Sequence, residues 1–188
     1  MAAATALADA DGLAAVSMRA VAAKLGTGAG SLYRYLSSRD DLLDLMADAA
    51  IGALAPFPAA PDPIDALVLL AREQLGLFKR HPWLLEAAQR NRGLGPNALA
   101  YFEHCLGVLA PVRCPTQAKF EAVAMITGVV SLFARPQPEG LSFAADLAGY
   151  RHLVAAMAEA SSGAPAPPQD APDLFERALR SLLNGLLR

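Results

Sequence analysis

Cysteine is scarce in this chain: Cys105 and Cys114 are the 2 present among 188 residues. That number excludes a disulfide framework and a cysteine-held metal cluster. Histidine is almost as rare. His81, His104 and His152 are the 3 present, with no HExxH arrangement and no second donor at metal-ligand spacing. We therefore expect no metal, no cofactor and no catalytic residue. His104 and Cys105 are adjacent, so on a helix their side chains point about 100° apart and make no base–nucleophile pair. Gly26, Gly28 and Gly30 lack the lysine and the preceding strand of a phosphate loop. Asp40 and Asp41 read as helix-start charges rather than an acid–base couple.

Long hydrophobic runs are missing as well. Apolar residues make up 54% of the chain, yet the longest suitable uncharged run, 122–134, falls short of the ~20 residues a membrane span needs. The apolar excess predicts large subunit contacts, with no membrane partner. No basic segment precedes an apolar run at the start, where Asp9 and Asp11 intervene, so no signal peptide is expected and the cytoplasm is the expected compartment. The net charge of −2 gives no global reason to bind nucleic acid. Such an argument has to be local. No alternating strand pattern and no internal repeat is visible, so the expected fold is all-α.

What is present is a stretch at 17–39, SMRAVAAKLGTGAGSLYRYLSSR. Met18, Val21, Ala22 and Leu25 fall at helical spacing, with Arg19 and Lys24 on the other side. Gly26 ends that helix, because glycine enters the left-handed conformation without a Cβ penalty. A second helix over 29–36 turns Leu32 and Leu36 inward and leaves Ser31, Tyr33, Arg34 and Tyr35 outside. A small residue at the crossing, a turn glycine and a plugging leucine describe a helix-turn-helix. Charge agrees: between Gly12 and Arg39 lie Arg19, Lys24 and Arg34 and no acidic residue, while Asp9, Asp11, Asp40, Asp41, Asp44 and Asp48 flank the window. A local cationic surface suits phosphate binding, although charge by itself also fits a solvated face without a partner.

These residues carry a resemblance. The runs Gly12-x4-Ser17-x-Arg19, Val21-Ala22-x2-Leu25-Gly26, Gly30-Ser31-Leu32-Tyr33-Arg34-Tyr35-Leu36 and Arg39-x2-Leu42-Leu43 resemble the DNA-binding domain of the TetR family of bacterial repressors. The likeness is dense over 7–52. It thins beyond, where HPWLLE at 81–86 and GPNAL at 95–99 resemble the tetracycline-repressor-type regulatory domain. It implies double-stranded DNA with a palindromic operator, a small-molecule effector and a homodimer as partners. Arg34 and Ser31 would meet base edges, with Ala29 and Gly30 near the groove floor. Ser17, Arg19, Lys24, Tyr33, Tyr35 and Arg39 would hold phosphates. Tyr33 has a plainer alternative, a ring packed beneath the helix with its hydroxyl outward, and Tyr35 stands where the family often has histidine. Compared with the family the sequence starts late, without the basic arm ahead of the first helix that can reach DNA.

Along the chain, helices are expected over 2–11, from Arg39 to about Leu54, over 63–80, from Pro82 to about Arg90, from Pro96 to about Ala110, over 116–133, from Phe143 to about Ala160, and over 174–187. Prolines 56, 58, 61 and 63 break the chain after the 39–54 helix. We place a domain boundary there: 1–54 as a DNA-binding head with connector helix, 55–188 as an effector-binding and dimerisation body. Residues 161–172, SSGAPAPPQDAP, read as a connector. Apolar faces on 116–135 (Phe120, Val123, Thr127, Val130) and 173–187 (Phe175, Leu179, Leu182, Leu186) suggest a four-helix dimer interface, with Gly128 allowing a close neighbour. Ordinary intrachain core is the rival reading for these residues. The pocket candidates are Phe78, Trp83, Asn97, Tyr101, His104, Met125 and Phe133, with Phe102 beside them, aromatic walls with few polar anchors. For Asn97 and His104 the structural alternative is the stronger one: Asn97 as a helix cap and His104 as a solvent-facing side chain. The expected function is a dimeric one-component transcriptional repressor. The rival is a helical carrier or sensor of small molecules with a degenerate DNA-binding head.

Overall fold

In a computed structural model of the chain, described over residues 1–90, 93–135, 151–161 and 172–188, the regular structure is helical. The first part comprises α1 (Ala2–Asp11), a 3-10 turn (Leu13–Ala15), α2 (Met18–Lys24), α3 (Ala29–Leu32) and α4 (Arg39–Gly52). There follow α5 (Pro63–Arg80), α6 (Leu84–Ala88), α7 (Pro96–Val108), α8 (Thr116–Ala134), α9 (Arg151–Ser161) and α10 (Leu174–Leu186).

Each boundary has a local cause. The Ser17 hydroxyl accepts from the Ala20 N–H at 3.1 Å and starts α2; Ser38 accepts from Asp41 N–H at 3.0 Å and starts α4. Asp62 caps α5 by accepting from Ile64 and Asp65 N–H at 2.8 and 3.0 Å, ahead of Pro63 at a position that needs no donor. At the end of α2, Gly26 adopts φ 68°. Its N–H reaches Ala23 O at 3.1 Å and Thr27 N–H reaches Ala22 O at 2.9 Å, the paired closure that occupies the helix's last free carbonyls.

One apolar core runs from Ala4 and Ala8 through Leu42, Leu43 and Met46 of α4 to the α5, α8 and α10 contacts. α5 and α8 are packed together at its centre, where Leu67, Leu70 and Leu77 of α5 and Val123, Ile126 and Val130 of α8 are all buried. By length and composition α8 passes for a membrane span. Its inner stripe is core, and its outer stripe is exposed. Across the α5–α10 seam, Arg72 pairs with Asp173 at 3.1 Å and Glu176 at 2.6 Å, and Arg180 with Glu176 at 2.8 Å and Asp65 at 2.6 Å. These arginines, with the Glu176 N–H that donates to Asp173, hold both carboxyls below their ordinary values.

Several expectations change. The second helix of the turn motif covers only 29–32 rather than 29–36, and continues as a turn closed by Tyr35 and Leu36 N–H on Leu32 O. Glycines at 28 and 30 weaken helix propensity at its start. Leu25 is not part of the inner face: it caps α2 and is 55% exposed, because the chain turns away before α3 reaches it. On α10 the buried stripe is Phe175, Leu179 and Leu183, while Leu182 and Leu186 pack half-buried at its edge. No group of this chain meets Gly128 among the described residues. The expected helix from Phe143 is described only over 151–161, and most of the 161–172 connector lies outside the described residues.

Candidate nucleic-acid interface and ligand cavity

Two short helices build the outward face of the first part. Met18, Val21 and Ala22 bury one side of α2, and Leu32 and Leu36 pack half-buried against the same core. Periodicity then forces their neighbours outward. Arg19, Lys24, Gly30 and Arg34 are exposed, Tyr33 is 56% and Tyr35 86% exposed, while Ser17, Ala29 and Ser31 are half-buried beside them. Tyr33 therefore does not pack beneath its helix. The Ser31 hydroxyl accepts from Thr27 Oγ1 at 3.3 Å. Arg39 goes elsewhere. Its Nε donates to Val16 O at 2.6 Å and its Nη2 to Leu13 O at 2.5 Å. It braces the turn between α1 and α2, which corrects its expected place among the phosphate contacts.

Three of the flanking aspartates, Asp9, Asp40 and Asp48, are tied to later parts of the chain. Asp9 Oδ1 accepts from Trp83 Nε1 at 2.7 Å and lies 2.7 Å from His81 Nδ1. Asp40 pairs with Arg90. Asp48, 8% exposed on α4, accepts from Asn97 Nδ2 at 2.9 Å and from the Ala98 and Asn97 N–H groups at 2.9 and 3.3 Å. A carboxylate of α4 thus caps the N-terminus of α7, where the helix dipole favours negative charge. Gly95 is required at that crossing, since an added Cβ would overlap the Asp48 carboxyl.

Between α4, α5, α6, α7 and α8 lies a cavity of about 490 Å³. Its walls include Phe78, Tyr101, Phe102, Ile51, Leu84 and Leu94, and its polar groups are Asp44, Asp48, Gln74 and Thr127. Gln74 is 2% exposed. It accepts from Tyr101 Oη at 3.1 Å and donates to Thr127 Oγ1 at 3.2 Å, so three helices meet in one polar chain. Burial pushes the Tyr101 hydroxyl well above its usual pKa and the Cys105 thiol up to about 12, so both stay neutral. A cavity of this size, mostly apolar with few polar groups, is the ordinary form of a small-molecule site.

The comparisons with known proteins agree with this geometry. Residues 1–46 match bacterial regulatory proteins of the tetR family, and 56–188 match the tetracyclin repressor-like C-terminal domain. The chain belongs to the TetR family. A relative, the HTH-type transcriptional repressor DrrR1 of Streptomyces coeruleorubidus, is 43% identical over 140 residues, 72% of this chain and 51% of that protein. The chain spans about half the length of the curated relatives it matches. Among solved structures, apo ActR of Streptomyces coelicolor is 25% identical with TM-score 0.78, over 99% of this chain and 91% of that one. ActR in complex with (S)-DNPA is also 25% identical, with TM-score 0.77, over 99% of this chain and 94% of the other. Members of the family are transcription regulators, not enzymes.

In this TetR-family chain the expected pocket set divides. Phe78 and Tyr101 line the cavity, as does Phe102. Trp83 is a tie to α1 instead. Asn97 donates its Nδ2 N–H to Asp48 and packs against Gly52 at the α4–α7 crossing. His104 stacks on Phe57 with ring centroids 4.6 Å apart, and its Nε2 is buried with no partner among the described residues, so it does not face solvent. Met125 is exposed on the outside of α8, and Phe133 packs edge-on against Phe175. The dimer set divides too. Val123, Val130, Phe175 and Leu179 are intrachain core, Thr127 lines the cavity, and Phe120 is exposed. Gln74 and Asp48 were missed. The signal for Gln74 was available, an amide on the otherwise apolar stripe of α5; nothing in the order of residues placed Asp48 against α7.

Proposed function

We propose that the chain is a dimeric transcriptional repressor that binds a palindromic operator and leaves it when a small molecule fills the cavity, with residues 1–54 as head and 55–188 as body. The carrying observation is the segregation of charge in the first part. Arg19, Lys24, Arg34, Tyr33 and Tyr35 stand exposed around α2 and α3 beside half-buried Ser17 and Ser31, while Asp9, Asp40 and Asp48 are turned inward to the later helices. Arg34 and Ser31 meet base edges, beside Ala29 and Gly30. Arg19, Lys24, Ser17 and the two tyrosines fix the register on phosphates.

A four-residue helix reads too few base pairs to select a site, so two copies are needed at a spacing of about 34 Å. The outer stripe of α8, with Met125, Gly128 and Leu132, supports pairing across a two-fold axis beside α10, because it is apolar and uncovered among the described residues. A neighbouring copy provides the close partner that Gly128 allows. Cavity walls from α4 link occupancy to head position, since Ala47, Asp48 and Ile51 belong to both. The ActR–(S)-DNPA complex is a precedent for a ligand in this fold; an effector that favours the non-binding head spacing by ~1–3 kcal/mol suffices.

Fluorescence anisotropy with labelled duplex from upstream of the gene tests the reading. Nanomolar binding that falls steeply with salt, and falls about tenfold or more in Arg34→Ala, is the expected result. Salt-insensitive or absent binding by the folded chain would favour the carrier reading instead. Leu132→Glu should yield monomers in sedimentation; an unchanged dimer mass removes α8 from the interface.

A further inference from the structure

Resting on the repressor reading above, we propose that the turn His81-Pro82-Trp83 is a clasp that holds α1 by Asp9, and that this clasp sets the spacing of operator half-sites the two heads accept. Trp83 Nε1 can only donate, and it donates to Asp9 Oδ1 at 2.7 Å. His81 Nδ1 lies 2.7 Å from the same oxygen. Two rings on either side of one proline thus converge on a single oxygen 72 and 74 residues earlier in the chain. Local structure aims them. His81 N–H closes α5 on Leu77 O at 2.9 Å, and Leu84 N–H returns to His81 O at 2.9 Å, so the turn is bonded on both sides. Pro82 fixes its own φ between the two rings. Trp83 is buried, so its N–H is left unsatisfied if Asp9 is removed.

The place of the clasp gives it leverage. α1 packs chiefly on the 3-10 turn and α2, and α2 on α3, so the outward face rides on α1. Among the described residues, the side-chain hydrogen bonds from α1 to the body are those of Asp9. Further polar ties between head and body belong to α4: Asp40 with Arg90 near its start, and Asp48 with the first turn of α7 near its end. Ties strung along one helix leave the head a rotation about that helix. A tie to a different helix removes it. Half-site spacing reads that rotation. One base pair added between half-sites moves them apart by about 3.4 Å and turns them by roughly 34°. Heads held at a fixed angle accept one spacing, whereas heads free to turn accept several.

The test starts with the full chain selecting duplexes from a pool with random centres. Labelled copies of a selected duplex, lengthened or shortened at the centre by one or two base pairs, are then compared by fluorescence anisotropy. The parent should lose about tenfold or more in affinity at each altered spacing. Asp9→Ala should shrink that penalty to about two- or threefold while binding the selected spacing within a few-fold of the parent. Trp83→Phe, which keeps a ring and loses the donor, should act likewise; if melting shows it unfolded, Asp9→Ala, at a partly exposed position, carries the test. Asp9→Asn keeps an acceptor for the indole N–H and should restore the penalty. The chain holds 1 tryptophan, so exchange of its indole N–H by NMR reads the clasp without DNA. It should be slow in the parent and Asp9→Asn and faster in Asp9→Ala. A spacing penalty unchanged in folded Asp9→Ala overturns the proposal even if the melting temperature falls, and so does Asp9→Asn behaving as Asp9→Ala. A parent that selects no duplex sinks the repressor reading itself. A parent that selects one, with a penalty that survives Asp9→Ala, sinks the positioning role alone.

Discussion

The outer and inner faces of α1–α4 are made from the same short stretch of chain and are built by opposite rules. Outside, α3 buries no residue, and Tyr33, Arg34 and Tyr35 stand in solvent. Inside, α4 buries Leu42, Leu43, Met46 and Asp48, and its carboxylate is fixed by donors of α7. The outer face is free to meet a large charged partner because it contributes little to the fold. The inner face cannot change without moving a neighbouring helix. Asp48 lies on the boundary, at once a wall of the cavity and a cap for α7. Stability and recognition are therefore separable by mutation.

The sharpest break in that contrast is Leu43→Ala. This side chain is 1% exposed, and urea denaturation should show a loss of ~2–5 kcal/mol. Arg34→Ala in the same assay should stay within ~0.5 kcal/mol of the parent. A large loss from Arg34→Ala would mean that the outer face is structural after all. Next is Asp48→Ala, which strips three donors at the start of α7 of their acceptor. We expect ~1–3 kcal/mol of destabilisation, with faster amide exchange at Asn97 and Ala98; unchanged exchange there would show that the cap does not hold α4 to α7. Gly26→Ala forces a Cβ into the left-handed region at φ 68°. Thermal melts should register ~1–2 kcal/mol, with a loss of DNA affinity no larger than α3 displacement explains.

The smallest effect concerns the α5–α10 seam, far from both faces. The carboxyls of Asp173 and Glu176 are held down, the first by the Glu176 N–H and Arg72, the second by Arg72 and Arg180. A depressed carboxyl stabilises the fold above its unfolded value of roughly 4, and the contribution disappears as pH falls through the folded value. Glu176→Gln should thus cost below ~1 kcal/mol at neutral pH, the pairs being partly exposed. Parent and variant should converge as pH drops below about 4. A gap that persists in acid would assign Glu176 a role in packing rather than charge.

Much of the fold was legible in the residue order. Ser17 and Ser38 mark helix starts through their side-chain oxygens, and Gly26 marks a stop; these are interactions within a few residues. The helical periods of α5 and α8 were visible for the same reason. The outward set around α2 and α3 was legible except at its ends: Leu25, placed on the inner face by its spacing, stands exposed, and Arg39, placed outside, donates to the Val16 and Leu13 carbonyls. The cavity was legible in kind and not in membership. Aromatic residues on helices 63–80 and 96–110 suggested walls, yet Trp83, His104 and Phe133 face Asp9, Phe57 and Phe175. Which side of a helix meets which neighbour depends on crossing angles, and no local spacing carries those.

By itself the sequence determined the helices, their caps, the turn at Gly26 and the clustering of cationic residues in one window, all set by backbone sterics and by hydrogen bonds within one turn of chain. Tertiary structure alone decided that Asp9, Asp40 and Asp48 bind later parts of the chain, that Arg39 braces a loop, and that Gln74, Tyr101 and Thr127 join at one wall. Those pairings span up to 74 residues, as between Asp9 and Trp83. They exist because burial of the common apolar core brings the helices together first, after which every polar group left inside must find a partner.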